Sequence, residues 1–253
     1  MNDGAIWPAD YDLRRLDEVD STLDEAARIA PGLERPTWIM AHRQLQGRAR
    51  RGRQWTDPEG NLASTLVLFP RGSLAEAGLR SFVAALALRD ALAAVIGGEG
   101  RAELALKWPN DVLLNGGKLA GILLESAGNG QGDVRHLAVG IGVNLVAAPS
   151  VVEDGALRPV SLLGETGVHI APETFLVHLA AAFARREAQF RAGGFAAIRA
   201  DWLAHATRIG EEITAKRGKV MTSGIFRTID DAGNLVLETR AGEISIPAAE
   251  VFF

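Results

Sequence analysis

"KWPNDVLLNGGKLAGILLE", residues 107–125, decides how this chain is organised. "LALKW" and "DVLL" are short apolar runs on either side of a Pro-Asn turn, and "NGGK" (115–118) is a hairpin turn into "KLAGILLESA". "GNGQGD" (128–133) turns the chain again before "VRHLAVGIGVNL". Residues 104–145 therefore read as a compact β meander with two hairpin-like connections. A hairpin does not ask for Trp-Pro-Asn-Asp, so the stretch also carries chemistry. Lys107, Asn110 and Asp111 surround the sharp turn, Lys118 opens the next strand, and Gly121 leaves room against the backbone. Further on, Gly140 and Gly142 thin a strand that side chains would pack better, and Asn144 offers a donor and an acceptor at its end.

Outward from the meander, "DSTLDEAARIA" (20–30) looks like a helix start. Ser21 or Thr22 can cap it, with Asp24 or Glu25 three residues on as in a capping box. "TWIMA" (37–41) and "LASTLVLF" (62–69) have strand character, and 74–96 is a long apolar helix ended by Gly97-Gly98. Helices return at 172–191, where Pro172 suits a first turn, and at 195–205. After Ile209 the period becomes two. "EEITAKR", "VMTSGIFRTID", "LVLETR" and "EISIP" are short strands joined by turns, a tail about the size of a small β-barrel. The boundary falls near residue 206.

Composition bounds the function. The 253 residues fit one large domain with a small appendage, and 47% hydrophobic residues fill a substantial core. No run approaches the length of a membrane span, and the first residues carry acids where a secretory signal carries bases. The absence of cysteine removes disulfides, thiolate metal sites and cysteine nucleophiles, and fits a reducing, cytoplasmic setting. The five histidines are scattered, with no metal-binding spacing. "GIGVNL" lacks the third glycine of a dinucleotide fingerprint, and "GGKL" lacks the remainder of a phosphate loop. ATP, if used, is held without a Walker loop.

"GRARRGRQW" (47–55) places four arginines in a chain whose net charge is -4. Glycines 47 and 52 allow tight backbone approach, and the guanidiniums of Arg48, Arg50, Arg51 and Arg53 suit phosphate or carboxylate. Trp55 adds a flat face for stacking a base. A nucleic-acid surface needs a broad basic face, which an acidic chain does not supply; taken alone, the cluster reads either as a solvated basic loop or as a loop that a polyanion would order.

Together, "GRARRGRQW", "KWPNDVLLNGGKLAGILLE" and "VGIGVNL", with "DSTLDEA" upstream, resemble the signature segments of biotin protein ligases, and the tail from "GIFRTIDDAGN" onward resembles that family's small β-barrel. The resemblance implies an α+β fold: a mixed β-sheet catalytic domain packed with helices (1–205), then a C-terminal β-barrel domain (206–253). It also implies a two-step reaction. The biotin carboxylate attacks the α-phosphate of ATP, giving biotinyl-adenylate and pyrophosphate. A lysine of a biotin carboxyl carrier domain, part of a biotin-dependent carboxylase, then attacks the anhydride and releases AMP. Mg2+ would accompany the nucleotide, bound mainly through phosphate oxygens.

Carried residue by residue, the resemblance puts Ser21, Thr22, Gln44 and the Gly47–Arg48–Ala49–Arg50 stretch on biotin, with Gly121 against it. Lys118 contacts the carboxylate and the α-phosphate. Arg50, Arg51, Arg53 and Lys107 gather phosphates, Trp55 packs near adenine, and Asn144 sits at the nucleotide end. Asp111 orients the incoming amine or takes its proton, so Lys118, Asp111, Lys107 and Arg50 are the catalytic set, with no metal ligands. Closure of the arginine loop, and of a second loop within 147–160, keeps water from the anhydride.

Two departures stand out. Ala49 replaces the usual middle glycine, and alanine disfavours positive φ. Leu23 replaces a common asparagine and removes one biotin contact. With only about twenty residues ahead of "DST", the chain is not expected to be a DNA-binding repressor; no membrane partner is expected, and the state is expected to be a monomer or homodimer. A lipoate-type ligase and a non-catalytic ligand-binding homologue remain the alternatives.

Overall fold

The computed structural model describes residues 5–56, 58–97, 102–128, 133–150, 157–247 and 249–253. The seven strands of the larger sheet are β1 (Asp12–Val19), β2 (Thr37–Gln44), β3 (Leu62–Leu68), β4 (Leu104–Lys107), β5 (Asp111–Leu114), β6 (Gly117–Gly128) and β7 (Val134–Val143). Their spatial order is β1-β2-β3-β7-β6-β5-β4. Only β1 and β2 run parallel, so the sheet is mixed, and β4 to β7 form the expected antiparallel meander. Asn115 (φ 50°) and Gly116 (φ 76°) make the turn between β5 and β6. Positive φ at both central residues matches the right-handed twist of the flanking strands, which is why Asn-Gly stands here. The Trp108–Pro109 peptide bond is cis. Residues 129–132 of the second expected turn lie outside the described residues.

Helix α1 (Thr22–Ile29) begins as expected. Ser21 is its N-cap, and its Oγ accepts from the Leu23 N–H at 3.3 Å. The reciprocal half of a capping box does not form, because the Ser21 N–H donates to Asp20 Oδ1 instead, at 2.7 Å. Asp24 pairs with Arg48 and Glu25 with Arg28. The apolar face of α1, Leu23 and Ala26, packs on Ile39, Val67 and Ala138 of the sheet.

The long apolar stretch 74–96 is two helices, α2 (Leu74–Gly78) and α3 (Arg80–Ile96). The division falls at Leu79, directly after Gly78, a weak helix former, and Gly97 (φ 88°) ends α3 in the left-handed conformation. Helix α3 is buried on most sides, which explains its nearly uniform apolar composition. A short helix, α4 (Leu162–Thr166), precedes α5 (Pro172–His205), which Gly194 (φ 67°, ψ −166°) breaks where two helices were expected to meet. Among the described residues no helix is long and apolar enough to cross a membrane.

The tail forms a second sheet of β8 (Glu212–Arg217), β9 (Val220–Ile229), β10 (Leu235–Thr239), β11 (Gly242–Ile246) and β12 (Glu250–Phe252), in the order β11-β10-β9-β8-β12. It is antiparallel throughout and open: β11 pairs with β10 and β12 with β8, but β11 and β12 do not pair with each other. The expected barrel is therefore a five-stranded sheet. Its edge strands are short, five and three residues, and leave no ladder to close the ring. Two strands, β1 and β12, had no counterpart in the sequence reading. Edge strand β1 is mostly polar and exposed, so it lacks the alternation that marks a half-buried strand.

The two sheets share one apolar interior. Ile213, Phe226, Leu235 and Leu237 join the cluster that contains Leu106, Trp108, Phe82 and Trp202. Trp108 Nε1 donates to the Gly233 carbonyl at 3.0 Å, and the Thr207 N–H donates to the Leu106 carbonyl at 2.9 Å. The tryptophan of the Trp-Pro-Asn-Asp turn thus anchors the second sheet to the edge of the first.

Candidate active site

One cavity of about 280 Å³ opens on the face of the larger sheet, lined by residues from segments spread between Ser21 and Val251. Its floor is made by glycines in register. Gly121 of β6 lies opposite Gly142 of β7, and Leu123 lies opposite Gly140. A methyl at Gly142 would stand 2.5 Å from Trp55 Cε2, and one at Gly121 would stand 3.2 Å from Trp55 Cζ3. A methyl at Gly140 would reach 2.9 Å from Leu23 Cδ1. Two of these glycines therefore seat the Trp55 indole, and the third seats Leu23. The room expected over Gly121 is occupied by the ring of Trp55.

The arginine stretch is a tight hairpin over that floor. The Trp55 N–H donates to the Gly47 carbonyl (2.8 Å) and the Ala49 N–H to the Arg53 carbonyl (2.8 Å), with a 3-10 turn at Arg50–Gly52. Gly47 lines no part of the cavity but is required where it stands, since a Cβ there would lie 2.7 Å from the Trp55 carbonyl. Gly52 takes φ 73°. Ala49 has φ −120° and ψ 177°, ordinary extended backbone. The concern that alanine strains this position does not hold in this conformation.

The arginines divide by role. Arg48 is clamped by Glu125, whose carboxylate accepts from both its Nη atoms (2.6 and 2.9 Å), and by Asp24 at 2.8 Å. Its side chain ties the hairpin to α1 and β6. Arg50 Nη1 donates to Asn110 Oδ1 at 3.2 Å, and Asn110 Nδ2 donates to the Ile122 carbonyl. Arg53 Nη2 donates to Glu250 Oε1 at 3.0 Å. The side chain of Arg51 lies outside the described residues.

At the end of the cavity around Ser21, Thr22 and Gln44 the polar groups are neutral apart from Arg48, whose charge is balanced by Glu125 and Asp24. Gln44 Oε1 accepts from the Thr22 N–H at 2.9 Å and from Thr22 Oγ1 at 3.1 Å, and Thr65 Oγ1 donates to Thr22 Oγ1 at 2.9 Å. Ser21 and Thr22 are buried beside them. This end suits an uncharged hydrogen-bonding group. Leu23, where asparagine was noted as common, adds an apolar wall through its contact with Gly140.

The other end is charged. Lys118 Nζ meets Asp111 Oδ1 at 2.8 Å and stands 5.9 Å from the Trp55 ring. Burial lowers the Lys107 ammonium below the usual lysine range, and neighbouring Lys118 and Arg50 act in the same direction. Asp111 and Glu250 oppose the shift. Asn144 Nδ2 donates to the Val160 carbonyl at 3.0 Å, while its buried Oδ1 has no protein partner. Of the covering loop expected at 147–160, residues 151–156 lie outside the described residues. Pro149, Leu157 and Pro159 border the cavity, and the Lys118 N–H donates to the Arg158 carbonyl at 2.8 Å. Among the described residues no group of three or more acidic or histidine side chains could hold a metal ion.

A family model described as the biotin/lipoate A/B protein ligase family matches residues 15–144, and the biotin protein ligase C-terminal domain matches residues 209–253. A biotin--[acetyl-CoA-carboxylase] ligase of Paracoccus denitrificans is 57% identical over 94% of this chain and 99% of its own length. This chain belongs to the biotin protein ligase family. The bifunctional ligase/repressor BirA of Escherichia coli is 32% identical over 93% of this chain and 74% of its own length. Among solved structures, a biotin protein ligase from Aquifex aeolicus in complex with biotin and ATP superposes with a TM-score of 0.77. It is 25% identical, covering 95% of this chain and 98% of that one.

Most residues named from the sequence of this ligase line the one cavity. Ser21, Thr22, Gln44, Arg48, Ala49, Arg50, Arg53, Trp55, Lys107, Asp111, Lys118, Gly121 and Asn144 all border it. Sequence reasoning missed Glu250 and Val251, which enter the cavity from β12. A three-residue strand has no readable periodicity, and nothing local marks Glu250 as the partner of an arginine 197 positions away.

Proposed function

We propose that this ligase joins biotin, through biotinyl-5'-AMP, to one lysine of a biotin carboxyl carrier protein. The observation that carries the reading is a single cavity with a neutral hydrogen-bonding end at Ser21, Thr22 and Gln44 and a cationic end at Arg50, Arg53, Lys107 and Lys118. That polarity suits an acid with an uncharged polar head, its carboxylate held toward a nucleotide.

In the first step a biotin carboxylate oxygen bonds to the α-phosphorus, the bond to the bridging oxygen breaks, and pyrophosphate leaves. Lys118 is placed to stabilise charge where carboxylate and phosphate join, with Arg50, Arg53 and Lys107 on the phosphates. Fixed cations aimed at developing charge are the strongest contribution such a site makes. Magnesium would arrive on the phosphate oxygens. The cavity adds two carboxylates, Asp111 and Glu250, each already paired with a cation, which fits an ion carried in by the nucleotide.

In the second step the carrier amine bonds to the acyl carbon, the carbon–oxygen bond to phosphate breaks, and AMP leaves. A lysine amine is mostly protonated at neutral pH. Asp111 Oδ1 is 2.8 Å from Lys118 Nζ. Once Lys118 engages the acyl phosphate, that carboxylate is available to accept the proton of the incoming amine. A cytoplasmic setting, where ATP is available, belongs to this reading.

The test is incubation with magnesium, labelled ATP and biotin, lipoate or octanoate in turn, followed by transfer to a purified carrier domain. Acyl-AMP with biotin, and label on the carrier, is the expected result. Adenylate with lipoate alone, or no adenylate with any of the three acids, would overturn the proposal.

A further inference from the structure

The nucleotide end contains an acid that the reaction described above does not use. Glu250 projects into the cavity from β12, a strand of the second sheet held by β8 through the pairs Glu250–Lys216, Val251–Ala215 and Phe252–Thr214. Its Oε1 accepts from Arg53 Nη2 at 3.0 Å. The same segment places the ring of Phe253 between two cations, 5.3 Å from Lys107 Nζ and 4.7 Å from Arg208 Cζ. Val251 is buried beneath, so β12 is held where it stands. A carboxylate in the wall of a cavity lined by cations competes with an incoming polyanion for those cations. Phosphate oxygens and the Glu250 carboxylate accept from the same guanidinium donors.

We infer that Glu250 is a positioning residue that holds Arg53 in the ligand-free enzyme and competes with the polyphosphate for it, so that nucleotide binding proceeds by partner exchange on Arg53. The inference rests on reading the cationic end as the nucleotide site. Before the nucleotide arrives, Arg50, Arg53, Lys107 and Lys118 share this end with Asp111 and Glu250. The two acids limit repulsion among the four cations, and Glu250 holds the guanidinium of Arg53 at the cavity wall. Afterwards the phosphates take over that charge, and Glu250 is released toward solvent. The second sheet thereby contributes directly to nucleotide affinity.

The Arg53–Glu250 pair is about one-third exposed on each side, with side-chain exposures of 39% and 27%. Partly exposed pairs are weak, so removing the competitor should tighten ATP by about two- to fivefold. The experiment is calorimetric titration of magnesium-ATP into the full chain. The proteins compared are wild type, Glu250→Gln, Glu250→Ala, Arg53→Ala and the Arg53→Ala/Glu250→Gln double variant, with biotin titrated as control. The expected result is a lower Kd for ATP in both Glu250 single variants, an unchanged Kd for biotin, and no further gain from Glu250→Gln once Arg53 is alanine. The last arm separates competition from a general packing effect. Unchanged or weakened ATP binding in Glu250→Gln and Glu250→Ala, or a gain that persists without Arg53, overturns the inference. Should one Glu250 variant fold poorly by circular dichroism, the other carries the same test. Wild type that binds ATP but makes no biotinyl-adenylate refutes the proposed function and leaves this result standing. Wild type that binds no ATP refutes both.

Discussion

Gly142→Ala tests the idea that paired glycines form a seat for Trp55. Gly142 is hydrogen-bonded between Ala63 of β3 and Gly121 of β6, so its backbone is held from both sides. The added methyl would lie 2.5 to 2.7 Å from three atoms of the Trp55 indole, where carbon–carbon contact begins near 3.5 Å. About 1 Å of displacement is therefore required, and the ring must provide it. Overpacking of this kind costs about 1–3 kcal/mol. For a chain of this size each kcal/mol lowers Tm by about 2–4 °C, so the expected fall is about 2–12 °C. Thermal melting supplies the number, and tryptophan fluorescence should shift to the red as the ring leaves its seat. The same substitution in a Trp55→Ala background should cost little, because the colliding atoms are gone. An equal loss in both backgrounds, or none in the parent protein, would refute the reasoning.

Three further outcomes are expected. Lys118→Ala should lower biotin-dependent ATP–pyrophosphate exchange by about 10²- to 10³-fold, the usual effect of losing one donor aimed at developing charge; normal exchange would show that the lysine is misassigned. Ala49→Gly should leave adenylate release unchanged, since φ −120° needs no glycine, and a slower off-rate measured by chase would contradict this. Lys107 has its pKa lowered from 10.5, chiefly by burial. Its phosphate-binding, protonated form is therefore lost as pH rises through a value below 10.5, and ATP affinity should fall in that window. In the ligand-free protein the unfolded chain binds the extra proton there, so this group's contribution to stability rises with pH across the same window. Lys107→Arg should remove the alkaline fall in ATP affinity.

Local chemistry was enough for the parts of the fold whose signals are short-range. Asn115-Gly116 sets its turn, Gly97 ends α3, Gly194 divides α5, and Ser21 caps α1, because each acts within a few residues of itself. The meander was legible for the same reason, as alternating apolar runs punctuated by turns. Polar β1 and three-residue β12 carry no such signal, and neither does the failure of the second sheet to close. At the site, the residue types and their grouping were readable from two dense motifs. Sequence alone could not show that Gly140 and Gly142 are receptacles for Leu23 and Trp55, that Ala49 sits at negative φ, or that Glu250 reaches Arg53 across 197 positions. Those facts depend on strand register and on where two sheets meet. Register and docking are set by the summed burial of a shared core, and no single segment contains that sum.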